Sequence, residues 1–497
     1  MSTSRSAARF SVADALRANR LGTSSLVFFA VAAAAPLTVI AGGVSTGYAD
    51  TGFPGIPAAY LVMAVILLLW SVGYTTLARH IVTAGSLYAY IARGLGPRAG
   101  LAAAGVALLA YPVMHIGLVA GFGAVFTEVI AVVAGADVPW WVGAFAALAA
   151  IAFLGTRKVD LSGWVLGVLL LGEVAVVLVY DLVMLTHPHQ GHIAAGPLSP
   201  LHIVATAGGF VALVGVTASF TGIELPTVMA EEAKDPRRTV ARATRVAVLV
   251  TGALYAGSAW ALTVATGPDN IQTQAQAHGA QLIFELVSPY VVAPLVQLGQ
   301  LLFLTSLFAA ALAFHATAAR YLYALGREGV LPGVLGAASR HTGAPARASL
   351  VHSLIAGTVL VGYLAAGLKD PLTHLLFWGT VAGGFGVLIL MTATSAAVLA
   401  YFHRTPFTGE TAFHRRVAPA ISGLLLAVVL VTSLDQIPIL LSVDADSPAR
   451  WLIPGGYLLA ALTGLGWAIR LHQARPDVLA QVGRGADTAT AAVPAHL

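Results

Sequence analysis

The chain has no cysteine among its 497 residues, so disulfides and thiolate metal sites are excluded and the redox compartment leaves no trace in it. Charge is scarce as well. Asp, Glu, Lys and Arg together make up 9% of the residues, against about a quarter in soluble domains. Neither a Walker-type phosphate loop nor a dinucleotide fingerprint occurs, which argues against nucleotide-driven work by this chain alone. No nucleophile with a matching base and no histidine pair one helical turn apart stands out, so an enzyme is not expected, nor is a cofactor or a metal site. No Ser/Pro-rich linker or charged block divides the sequence.

Long apolar runs dominate instead: 58% of residues are hydrophobic and mean hydropathy is +0.85. A membrane helix needs roughly 20 mainly apolar residues. Twelve candidate spans follow, near 24–47, 54–78, 99–130, 139–156, 161–186, 204–229, 243–266, 290–320, 348–367, 374–401, 418–441 and 451–470. The first is too long for a signal-peptide core and is expected to stay in the mature chain. The expected organisation is an N-terminal tail over 1–23, one integral domain over 24–472 and a C-terminal tail over 473–497.

Threading the spans from a cytoplasmic N-terminus places all but two of the 26 basic residues on one side, the exceptions being Lys369 and Arg450. Loops on the other side carry Asp50, Asp137, Asp269, Asp370, Asp435, Asp444 and Asp446. By the positive-inside rule both termini are expected in the cytoplasm, with the chain multi-pass in the inner (plasma) membrane. The net charge of +5 then reflects topology and membrane lipids rather than a nucleic-acid partner.

Two spans differ from the rest, and they lie five helices apart. In the first, Ala32-Ala33-Ala34-Ala35-Pro36-Leu37-Thr38 puts proline in mid-span and Gly42-Gly43 follows. In the sixth, Gly215, Ser219, Thr221, Gly222, Glu224 and Pro226 interrupt an otherwise apolar run. Interrupted segments in corresponding positions of two halves point to a transport site built from inverted repeats. Proline and glycine are also common in membrane helices, where neighbours satisfy the freed backbone groups.

Ser219-Phe220-Thr221-Gly222-Ile223-Glu224, with the exit Glu231-Glu232-Ala233-Lys234-Asp235-Pro236-Arg237-Arg238-Thr239, resembles the sixth helix of the amino acid-polyamine-organocation superfamily of permeases. Ala84-Gly85-Ser86-Leu87-Tyr88-Ala89-Tyr90 with Gly94-Leu95-Gly96, the run from Arg320 to Pro332, and Thr342-Gly343-Ala344-Pro345 are similar to further motifs of that family. The first helix departs from its glycine-serine-glycine break and resembles a variant of bacterial permeases. The resemblance implies an all-α membrane fold with a leucine-transporter-like 5+5 inverted repeat, the halves at about 24–186 and 204–401 and two extra helices at about 418–470. It also implies secondary active transport of an amino acid or related small amine by alternating access, as proton-coupled uptake or, alternatively, as exchange or as a polyamine- or ethanolamine-type amine permease.

An unwound helix exposes N–H groups at the start of its second half and carbonyls at the end of its first, and these poles bind ions of opposite sign. A substrate carboxylate is therefore expected near Ala34, Ala35, Pro36, Leu37 and Thr38, and its amine near Ala218, Ser219, Phe220, Thr221 and Gly222. Ala218 stands where the family often has an aromatic gate, which leaves Phe220 or another helix to close the site. Glu224 is expected to gate by bridging the broken helix to another element, or to cap freed backbone N–H groups.

Glu173 lies in the middle of the fifth span with no basic residue near it in sequence. In related sodium-independent permeases a lysine often holds this place, so the resemblance implies a changed chemistry. Burial disfavours the ionised carboxyl, and Glu173 is expected to take up a proton with substrate, to meet a substrate amine, or to serve as a structural hydrogen-bonding group. Met114, His115 and His315 are weaker candidates for lining a cavity, and Thr305 and Ser306 for offering oxygens. His187, His189 and His192 form an outer cluster with no fixed scaffold, and Glu231, Glu232, Lys234 and Asp235 are expected in a solvated turn. Trp140, Trp141, Trp260 and Trp378 suit anchoring or packing. Substrate identity and oligomeric state are not legible at this level.

Overall fold

The computed structural model describes residues 16, 19–201, 203, 207–405, 409–441 and 443–485. Most of the expected N-terminal tail and the end of the C-terminal one lie outside these residues. Among the described residues the chain is all-α, with one isolated backbone bridge between Leu21 and Ala233. Among the described residues eleven helices are long and apolar enough to cross a membrane: α1 (Thr23–Thr51), α2 (Ile56–His80), α3 (Pro97–Ala131), α5 (Trp164–Thr186), α6 (Gly208–Val228), α7 (Pro236–Thr266), α8 (Ala293–Arg327), α9 (Ala346–Ala365), α10 (Leu372–Arg404), α11 (Phe413–Leu440) and α12 (Pro448–Ala474). The shorter apolar helix α4 (Trp140–Gly155) completes the twelve. Bounds agree closely with the hydropathy reading, except that α7 and α8 run further toward the basic face. Their extra turns are amphipathic and pack on neighbouring segments, a tertiary contact that a hydropathy window does not register.

Helices satisfy their own backbone groups, which is why an apolar chain of this kind folds almost entirely into them. Lipid is as apolar as leucine, so the arrangement depends on close packing and buried polar contacts rather than on water exclusion. In the most apolar stretches of α1 and α6, 72% of residues are buried by protein, whereas in α12 the share is 17%. The two interrupted helices therefore run through the centre of the bundle and α12 lies at its edge. Outer helices present leucines outward, as Leu171, Leu178 and Leu182 of α5 and Leu458, Leu459 and Leu462 of α12 do. Counterparts five helices apart pack on one another: α1 on α6, α2 on α7, α3 on α8 and α4 on α9. That pairing is the contact pattern of a 5+5 inverted repeat.

The segment after α6 differs from the solvated turn expected of it. Glu232 is buried and accepts two hydrogen bonds from Arg320 at 2.7 and 2.9 Å. Glu231 receives the Arg327 guanidinium at 2.5 and 2.7 Å and the N–H of Ala84 at 2.9 Å. The acidic residues turn inward because the last turns of α8 bring two arginines beneath them, a distant pairing that a local charge pattern does not reveal. Backbone bonds from Arg20 and Leu21 to the Glu232 carbonyl, and from Lys234 to the Leu21 carbonyl, tie the start of α1 to the exit of α6. Tyr74 on α2 contacts the hydroxyls of Ser86 and Thr227 nearby. Together these contacts seal the bundle on its basic face.

Replacing Arg327 by Met leaves the Glu231 carboxylate buried without its cation, which costs about 3–5 kcal/mol. Thermal unfolding in detergent should show a clear fall in Tm for Arg327→Met and none for Arg238→Met, whose side chain is 88% exposed. Equal Tm values for the two variants would refute a stabilising seal.

Candidate functional site

The first break lies between Ala33, where the first half of α1 ends, and Pro36, where a new helical turn begins. Ala35 takes a left-handed conformation at φ 48° that a residue with a Cβ adopts only under tertiary constraint. Pro36 occupies the first position of the second half, where a missing N–H costs nothing. A π-helical stretch, Val39–Val44, carries Gly42 and Gly43 onward.

In α6 the first half ends at Thr217, a tight turn spans Ala218–Phe220, and the second half resumes at Leu225. Gly222 sits at φ 120° between them, and a Cβ there would lie 2.6 Å from the Ala33 Cβ and 3.2 Å from the Ala34 nitrogen. Only a glycine fits both the dihedral and the gap. The two breaks thus pack directly on one another.

Their exposed backbone poles have protein partners. The Ala34 carbonyl accepts from the Tyr255 hydroxyl at 2.5 Å, so α7 closes the carbonyl pole of α1. At the opposite pole the Leu37 N–H is directed at Glu173 Oε2 at 3.5 Å and the Thr38 N–H at Ser306 Oγ at 3.4 Å. Both contacts are long, and Thr38 Oγ1 is buried with no partner. Glu224 is held from two sides: Oε2 accepts from the Gly222 N–H at 2.9 Å, while Oε1 accepts from Tyr111 on α3 at 3.0 Å. One carboxylate therefore caps the broken helix and ties it to another element.

A cavity of about 500 Å³ ends on these breaks and opens toward the face opposite the basic loops. Ala34, Ala35, Thr38, Ala218, Ser219 and Thr221 line it, while Pro36, Leu37, Phe220, Gly222, Glu173 and Glu224 lie behind its wall. Phe220 instead packs with Tyr60 and Tyr255, ring centroids 5.4 to 6.0 Å apart, and Tyr60 bonds Ser219 Oγ at 3.0 Å. The charged side chains lining the cavity are Asp50 and Glu128.

Sequence reading passed over Tyr60, Tyr111 and Tyr255. The usable signal was a tyrosine inside an apolar run, since a buried hydroxyl needs a partner. It also passed over His352, which the structure brings together with His115 and His315 in one buried group. Met114 lines the cavity, and Thr305 bonds back to the Leu302 carbonyl of its own helix at 3.1 Å. The outer histidines remain apart in function: His187 stacks on Tyr290 and His189 contacts Asn270. Trp260 and Trp378 donate to the Ala194 and Leu441 carbonyls, tying loops to helices.

A family model described as amino acid permease matches residues 21–454. The low-affinity putrescine importer PlaP of Escherichia coli, in strain K12 and in O157:H7, is 24% identical over 286 residues. That match covers 56% of this chain and 60% of the importer's length. Among solved structures, a mutant of the Eremococcus coleocola manganese transporter superposes with a TM-score of 0.57 at 12% identity, covering 96% of this chain and 99% of that one. The same transporter with an aromatic bis-isothiourea substituted compound gives 0.57 at 14%, with the same coverage. These likenesses establish a shared leucine-transporter-like fold.

Substituting Gly222 by Ala forces a Cβ against the Ala33 Cβ at an unfavourable φ, a cost of about 1–3 kcal/mol. Gly222→Ala should lower Tm, whereas Gly215→Ala, whose Cβ meets only Leu440 at 4.0 Å, should leave Tm unchanged. Matching behaviour of the two variants in a thermal-shift titration would contradict the close approach.

Proposed function

The chain belongs to the amino acid permease family, and from that premise we propose that it is a secondary transporter moving an amino acid or related small amine across the plasma membrane by alternating access. The observation that carries this reading is the cavity ending on two broken helices, open toward one face and sealed toward the other. Its size is in the range that holds a small organic solute. With both termini in the cytoplasm, as the basic loops suggest, the open face is the outer one and the arginine–glutamate seal is the inner gate. Family membership points to transport rather than catalysis.

The position of Glu173 supports proton coupling in this reading. Its carboxylate and a substrate carboxylate compete for the same N–H pole of α1, at Leu37 and Thr38. Protonation of Glu173 removes the like charge and frees that pole, so proton and zwitterion bind together. Opening of the inner gate then requires parting Glu231 from Arg327 and Glu232 from Arg320. Glu224 moves with α6 and carries its tie to Tyr111.

A second reading, uptake of an organic amine lacking a carboxylate, is favoured by one observation. Asp50 and Glu128 make the cavity wall acidic, with no basic side chain opposite. The putrescine importer among the relatives supports the same class. A strict exchanger is the remaining alternative.

The test is uptake into proteoliposomes with an imposed inward proton gradient, using labelled neutral and cationic amino acids and diamines. For a proton–zwitterion symporter, Glu173→Gln should bind substrate but lose both accumulation and pH dependence. An unchanged pH profile would sink the role of Glu173, and uptake only after preloading would establish exchange. Thr38→Val removes a hydroxyl at the cavity floor and should raise KM by about 2- to 10-fold; an unaltered KM would place the substrate elsewhere.

A further inference from the structure

His115 on α3, His315 on α8 and His352 on α9 converge deep in the bundle, each with 0% exposure. Ring centroids lie 4.7, 4.9 and 5.1 Å apart, and one ligand atom from each ring falls within 4.8 Å of the other two. Five of the six ring nitrogens have no hydrogen-bond partner, the exception being His315 Nε2, 2.8 Å from Ser349 Oγ. Each unsatisfied buried polar group costs about 1–3 kcal/mol. Three helices bring such groups to one point with nothing of the protein to meet them.

No carboxylate joins the group among the described residues. The donor set is thus three imidazoles and no hard oxygen anion, the chemistry that suits zinc and its neighbours rather than magnesium, calcium or manganese. Three histidines with a fourth position left for water form a recognised tetrahedral arrangement, at about 2.0–2.1 Å from zinc to each nitrogen. Each nitrogen would have to move by about 1 Å to reach that geometry. Ser349 already holds the Nε2 edge of His315, which orients Nδ1 for a ligand as an outer hydrogen bond does in metal sites.

A small cavity of about 20 Å³, lined by Gly155, Arg157, His315, Arg320 and Ser349, lies on the Nε2 side of His315 toward the basic face. That is room for a single water. Gly155 keeps it open, for a Cβ there would lie 2.4 Å from Ser349 Oγ and 2.9 Å from His315 Nε2.

We infer that His115, His315 and His352 form a binding site for a borderline divalent transition metal, zinc first, that clamps α3, α8 and α9 together apart from the substrate cavity. His115 follows Met114, which lines the substrate cavity, so α3 serves the two sites with consecutive residues. The metal is a structural brace and not the transported solute, so its presence is independent of which solute is carried.

The test uses the full chain, purified with a tag free of histidine, stripped with chelator and re-equilibrated with Zn²⁺ alone. One zinc per chain by mass spectrometry and a Tm that rises with Zn²⁺ are expected. His352→Leu and His115→Leu should abolish both, and a triple His187, His189, His192→Ala variant should retain both. Less than 0.1 zinc per chain, zinc kept by His352→Leu, or zinc lost with the outer histidines would each overturn the site. Should the buried-histidine variants fail to fold, X-ray absorption at the zinc edge of the wild-type chain decides: three imidazole nitrogens support the brace, and an oxygen-only shell refutes it.

Discussion

Everything central in this molecule depends on one contact, the Gly222 backbone against Ala33 and Ala34. Two interrupted helices can share the middle of a membrane only if their unpaired backbone groups find partners, because lipid supplies none. Bringing the breaks together places the poles where side chains from other helices reach them. Tyr255 closes one pole, Glu173 and Ser306 lie across from the other, and Glu224 folds back onto Gly222. Each comes from a different part of the chain, so the site exists only when the bundle is assembled around that single close approach.

Strength is graded across these partners. Tyr255 and Glu224 make short bonds and belong to the lasting frame. The contacts to Leu37 and Thr38 are stretched to 3.5 and 3.4 Å, so in the transport reading proposed above an incoming solute would displace little to take their place. Preorganised but weakly occupied donors suit a carrier, which must bind its cargo and also let it go.

Much of this was legible in the sequence, and for identifiable reasons. Span positions follow from hydropathy, and the breaks announce themselves through Pro36, Gly222 and a glutamate within an apolar run. Long-range pairing was not legible. The run Glu231-Glu232 has the composition of a solvated turn, and nothing local shows that Arg320 and Arg327, some ninety residues later, arrive beneath it. His115 and His315 likewise read as isolated residues on two helices and His352 went unremarked, because convergence is a property of packing. Tyrosines in α2, α3 and α7 were hidden by the apolar runs around them.

The backbone bridge joining Leu21 to Ala233 carries a consequence for how the molecule can evolve and move. It links the two broken helices at the same end through main-chain atoms, so in the transport cycle proposed above these ends would shift as one lever instead of two. A lever fastened by peptide groups is indifferent to side-chain identity. Sequence drift around residues 20 to 22 and 232 to 234 would then leave this tie intact, while proline at Lys234, whose N–H is the one donated back to Leu21, would remove one of its three bonds.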